Sequence, residues 1–255
     1  MTTANMDPMS QTPSLPKLAA AARSPYGGLT GRPGPQVLGA PGLGHVAAGT
    51  RRRLVVLCSQ PTEAAAIDLE TRALVRARAP RLPRMRPYQV VRVQLAEDHE
   101  VPDPAAPEGV VLARPPEPDT PVRARHLRRL LKDLLSPPGE PLLGFPGAAV
   151  PYWTLTGAWP SVALIRPDDD LSVLVRRGEM LVRAAFSWGG LRHHLPVYDF
   201  AAATALATAL SGRSRLERAG VEAALGFRPE YLVVSLTPPQ DGQCYKTVGG
   251  LLPRP

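Results

Sequence analysis

The chain has 255 residues, 44% of them hydrophobic, enough to bury a core in one large domain or two small ones. Its net charge of +8 is unevenly placed: 1–53 hold Lys17, Arg23, Arg32 and Arg51 to Arg53 against the single acid Asp7, leaving the other residues near balance at +3. A fold dedicated to nucleic acid carries its basic excess on the folded surface, so this distribution argues against one. The 27 arginines against 3 lysines, with 31 prolines and 22 glycines, read as the codon bias of a GC-rich genome.

Residues 1–50 show no sustained period of 2 or 3.6, and prolines at 8, 13, 16, 25, 33, 35 and 41 forbid long helices and ladder strands, so a disordered tail is expected there. After Arg51-Arg52-Arg53, the run Leu54-Val55-Val56-Leu57-Cys58 has the form of a buried strand. Within 61–79, helix-favouring composition competes with a hairpin turning at Asp68 to Arg72, and the hairpin is preferred. Val91, Val93 and Leu95 alternate with Arg92 and Gln94 as in a half-buried strand, and 109–113 reads as another.

The clearest helix is expected to open at Thr120-Pro121, threonine capping and proline in the first turn, and to stop at Ser136-Pro137-Pro138-Gly139. Leu127, Leu130, Leu131 and Leu134 form its apolar stripe. From about Pro141 a β-meander is predicted, with strands at 150–156, 161–166, 171–176, 180–186 and 191–197; connections this short imply antiparallel neighbours. Two short helices follow, one capped by Asp199 and one by the box Ser214-x-x-Glu217 with Gly226 as its stop. Strands at 231–236 and 244–248 close the chain.

The expected fold class is α+β: mainly antiparallel sheet or meander with about three helices behind a tail over 1–50. A β-rich lobe at 51–118, an amphipathic helix and linker at 119–140 and an α+β lobe at 141–255 are the expected divisions. Cys58 and Cys244 lie far apart without metal-ligand spacing, and are read as two reduced thiols. There is no basic n-region with an apolar h-region at the N-terminus, and the longest apolar stretch, 200–210, falls short of the roughly 18 residues a span needs. A cytoplasmic protein with no membrane partner is the expectation.

Glycine-rich phosphate loops, H-E-x-x-H and G-x-S-x-G are all absent from the chain. His193-His194 ahead of Asp199 admits a general base oriented by a carboxylate; the plainer reading is one core histidine, one surface histidine and a helix cap. The segment from Phe145 to Pro160 holds the densest aromatics, and Tyr152, Trp153, Thr154 and Trp159, joined by Trp188, are candidate ligand-binding residues; core anchoring is the alternative. Asp168-Asp169-Asp170 reads as a solvated turn before it reads as a metal site. Arg123, Arg125, Arg128, Arg129 and Lys132 offer a phosphate-binding face, or simply a solvated one, without the interleaved aromatics that stack single-stranded bases.

These features point to a non-catalytic binding or regulatory module for a protein or small planar ligand, with no cofactor and no metal. The alternatives are an enzyme using His193 or His194 with Asp199, and nucleic-acid association through the tail and the basic helix.

Overall fold

The computed structural model describes residues 49–96, 103–155, 159–176 and 181–255. The expected tail, apart from its last two residues, lies outside the described residues, as do Thr156, Gly157 and Ala158 of the aromatic segment and the Arg177-Gly178 bend. Among the described residues the chain is α+β, with mostly antiparallel sheets and three helices.

Strand β1 (Arg51–Ser59) pairs with β2 (Glu63–Asp68), which turns back as β3 (Ala73–Arg78), so 61–79 is a hairpin as expected. On its other side β1 meets β4 (Val90–Gln94). The next strand, β5 (Gly109–Val111), runs parallel to β3; just beyond it Leu112 bridges Leu95, and Ala113 N–H donates to Gln94 O (2.9 Å). The sheet thereby closes on itself, and β6 (Glu117–Pro118) continues along β4. Leu54, Val56, Ala66, Val75, Val91 and Val93 fill the interior, while Val55, Leu57, Ala65, Ile67 and Val90 form an apolar exterior. Both sides of β1 are therefore apolar, the form required of a strand buried on two faces.

That exterior packs against a second sheet, ordered β7 (Ala149–Pro151), β14 (Gln243–Leu252), β13 (Tyr231–Leu236) and β8 (Val162–Ile165). Tyr231, Val233, Val162 and Leu164 face the barrel; Leu232, Val234, Ala163 and Ile165 face the opposite way. Helix α1 (Ala124–Asp133) seals the side of the barrel interface with buried Leu127 and Leu131. The other face of the central sheet is covered by β9 (Ser172–Val175), β10 (Val182–Trp188), β11 (Leu191–Pro196) and β12 (Arg215–Leu216), and by α2 (Phe200–Ala209) and α3 (Arg218–Leu225). Cys58 and Cys244 are unbridged, buried thiols. No helix among the described residues is long and apolar enough to cross a membrane.

Several expected boundaries are corrected. The predicted meander is divided: β9, β10 and β11 are neighbours, but β8 joins β13 and β7 joins β14, because a central sheet apolar on both faces needs a separate sheet to cover it. Pro151 ends the strand expected over 150–156, and Tyr152 to Thr154 form a 3-10 turn. Helix α1 opens behind Arg123 with no side-chain cap, not at Thr120. Asp119 binds Arg53 (2.8 Å) and Arg92 (3.3 Å), holding that lead-in extended along the barrel. Asp199 caps α2 as expected, its Oδ1 accepting from Ala202 N–H at 3.0 Å. Ser214 does not cap α3, since Arg215 and Leu216 are drawn onto β9 and the helix opens behind Glu217; it does end at left-handed Gly226.

Candidate functional site

The aromatic segment separates into two arrangements with opposite consequences. Phe145 is buried and its ring stacks on Trp159, centroids 5.8 Å apart and planes 19° off parallel. Gly144, at φ +79°, lets the chain turn beneath the indole; a Cβ there would sit 3.5 Å from the ring. Under Phe145 lies Lys246, only 1% exposed, with Nζ 3.9 Å from the ring centroid and donating to Phe145 O at 2.6 Å. Phe145 and Trp159 are thus core anchors over a buried lysine.

Trp153 is placed otherwise. Pro151 breaks the edge strand, and the following turn is fixed by Tyr152 N–H donating to Gly242 O (2.9 Å), Tyr152 O–H to Asp103 Oδ1 (3.3 Å) and Thr154 Oγ–H to Pro151 O (2.7 Å). The indole rests on the β13–β14 turn, where a Cβ on Gly242 would lie 3.0 Å from it. With that edge against glycine, the side chain remains 72% exposed. Thr154 beside it is exposed, and Tyr152 packs partly against the core. Trp188 lies elsewhere, buried at the floor of a groove of about 290 Å³ walled by Pro137, Pro138 and Pro167, with Arg166 and Asp168 at its sides.

The two histidines do not assemble with Asp199. As expected for adjacent strand residues, they face opposite ways: His193 stacks on Phe186 with centroids 5.4 Å apart, while His194 lies among arginines. The Asp199 carboxylate caps α2, and among the described residues neither imidazole bonds to it. Burial, and then the Lys246 ammonium, lowers the His193 pKa, and its Nε2 is buried without a partner. Burial also lowers His194, helped by Arg192, Arg176, Arg215 and Arg183. Of the aspartate run, Asp169 accepts from Ser187 N–H (2.6 Å) and Arg192, and Asp170 pairs with Arg218 (3.1 Å). No group of three or more metal-ligating side chains occurs among the described residues.

Lys246 is the polar group that sequence reasoning passed over. An ammonium has three protons to place and this one finds a single carbonyl and a ring face, so burial pulls its pKa down to about 8. The unfolded chain holds that proton to about pH 10.4 and binds more protons between those values, so stability rises with pH in this window, by about 1 kcal/mol from pH 7 to pH 9. Cys58 opposes it at higher pH: burial pushes its thiol up to about 12. Urea unfolding of wild type and Lys246→Met at pH 7, 8 and 9 isolates the lysine. The stability difference should move by about 1 kcal/mol in favour of wild type across that range; a constant difference would show an ammonium that keeps its proton.

On α1 the side chains of Arg123, Arg125, Arg128, Arg129 and Lys132 are all exposed. Comparison with family models, curated proteins and solved structures gave no match.

Proposed function

We propose that the chain is a non-catalytic binding module that captures a partner protein through Trp153. The observation that carries this reading is a tryptophan 72% exposed on a turn held by backbone and side-chain hydrogen bonds. Leaving so large an apolar ring in water forgoes burial free energy, and tryptophan is the residue most often found at the energetic centre of protein interfaces. Because the turn is already fixed, docking loses little conformational freedom. The other two tryptophans are spent on the core and on the groove floor.

The test separates Trp153 from Trp159. A photo-crosslinking residue at position 153 of the full chain should give a discrete adduct in the native cell, and Trp153→Ala should weaken binding of the protein so identified by about 30-fold or more. Its melting temperature should stay within about 1 °C of wild type, whereas Trp159→Ala, which opens a cavity over Phe145, should melt several degrees lower. Phe200→Ala, removing the 80% exposed ring at the start of α2, serves as the surface control. Retained binding by Trp153→Ala, or a melt lowered as far as that of Trp159→Ala, would return Trp153 to a structural role.

A further inference from the structure

A second surface, independent of Trp153, lies on α1. Arg125, Arg128, Arg129 and Lys132 recur at i, i+3, i+4 and i+7, which places them in one stripe about 10 Å long. Leu127 and Leu131 fix the opposite side of the helix in the core, so the stripe is held outward. Elsewhere on the described surface several arginines meet carboxylates, Arg53 and Arg92 sharing Asp119, Arg192 reaching Asp169 and Arg218 bonding Glu222, while among the described residues Arg81, Arg84 and Arg86 have no such partner. On α1, among the described residues, none of the cations has a side-chain carboxylate as partner. Arg128 donates to a main-chain oxygen of Pro255, the last residue of the sequence (2.9 Å), and Asp133, the helix's one acid, pairs with none of them.

This arrangement works against the helix that carries it. Arg125 with Arg129, and Arg128 with Lys132, are like-charge pairs at i,i+4, a spacing at which repulsion destabilises a helix. Arg123 and Arg125 also sit at the positive end of the helix dipole, where a carboxylate would be favoured and where no acid and no side-chain cap is present. A face adapted only to solvent carries mixed charge. A face of one sign, rigidly mounted and without side-chain carboxylates among the described residues to balance it, is completed by an anion outside the chain.

The geometry points to the phosphodiester backbone of a nucleic-acid duplex as that anion. Phosphates along one strand are spaced about 3.4 Å along the axis, so a stripe of this length spans about three steps, and Arg123 extends it at the N-terminal end. The face contains no aromatic side chain, so it grips a backbone and does not stack unpaired bases. Contacts of this kind position a protein on a duplex without reading sequence.

The full chain is titrated against labelled DNA and RNA duplexes of about 20 base pairs and arbitrary sequence, from about 50 to 200 mM salt. With about four phosphates neutralised, the dissociation constant should rise roughly 100-fold over that range, and the two duplex types report which nucleic acid is preferred. The triple variant R125Q/R129Q/K132Q should bind at least about 10-fold more weakly at low salt, flatten the salt slope toward that of a single contact, and melt no lower than wild type. Trp153→Ala should leave duplex binding unchanged, so this surface and the proposed protein interface stand or fall separately. The inference is overturned if neither duplex binds at low salt, or if the triple variant binds as wild type while K17Q/R23Q/R32Q abolishes binding. Capture by phosphatidylserine vesicles without capture of either duplex would also overturn it, by assigning the face to a membrane surface.

Discussion

Replacing Arg76 with alanine should destabilise the chain by about 3 to 5 kcal/mol, a large part of the stability of an ordinary domain. Arg76 is 2% exposed and leaves the outer face of the closed barrel toward the central sheet. Each of its five N–H groups has an acceptor. Nε and one NH2 proton go to the two oxygens of Glu63 (2.7 and 2.9 Å), NH1 to Ala105 O (3.0 Å) and Ser161 Oγ (3.1 Å), and NH2 again to Leu236 O (3.0 Å). Ser161 passes its own proton to Glu108 at 2.5 Å, so one arginine ties β2 and β3 to the ends of the central sheet through a continuous polar chain. Alanine would leave the Glu63 carboxylate with only the longer bond from Arg78 (3.3 Å) and remove the arginine's donors from the Ala105 and Leu236 carbonyls, which costs more than the lost bonds themselves. Lysine is no substitute, since three protons cannot meet acceptors arranged for a planar fork. Chemical denaturation of R76A, E63A and the double variant checks this: the double loss should be clearly less than the sum, because removing the carboxylate removes the orphan. A loss under about 1 kcal/mol for R76A would mean that water reaches the network.

The strands were legible because their apolar period was undisturbed, as in Val91-Arg92-Val93, whose valines fill the barrel while the arginine is exposed. The continuous run at 54–58 marked a buried strand, as it is, and 231–236, read as a closing strand, proves buried along its whole length. Which sheet a strand joins was not legible. The Asp168-Asp169-Asp170 connection between β8 and β9 looks in sequence like any hairpin bend, yet it carries the chain from the central sheet to the outer one. The difference depends on β13, more than sixty residues later, claiming the edge of β8.

The candidate residues show the same limit. Trp153 and Trp159 stand six positions apart in similar company, and only the turn after Pro151 and the partner ring of Phe145 send one into solvent and the other into the core. Lys246 did leave a trace: it is one of three lysines in a chain with 27 arginines, and it falls on the inward register of Cys244 and Val248. A guanidinium with five donors would have been harder to satisfy where a single carbonyl is offered. On α1 the pattern was fully visible, but the absence of counter-charges was not, because acids such as Asp119 that could have neutralised the face are bound to arginines on other strands.

Gly250→Ala should cost about 2 to 3 kcal/mol or more, although it adds one methyl group to a β-strand. β1 crosses β14 where both ladders are irregular: the register shifts between Val56 and Cys58 on β1 and opposite Gly249 on β14. At the crossing a Cβ on Gly250 would stand 2.6 Å from the Cβ of Cys58, and one on Gly249 would stand 3.6 Å from its sulfur. The first distance is far inside van der Waals contact, and because the obstructing atom is a Cβ, no rotamer change relieves it. One of the two sheets must retreat, loosening the packed layer of Val55, Leu57, Val233 and Leu252 between them. The origin of the loss can be read from second-site changes. Cys58→Ala keeps the offending atom and should rescue little, whereas Cys58→Gly removes it and should recover much of the stability in the G250A background, despite being harmful alone. Equal behaviour of the two cysteine variants in that background would place the strain elsewhere. The closest approach of the two sheets therefore depends on a position with no side chain at all, which no hydrophobic pattern could have marked.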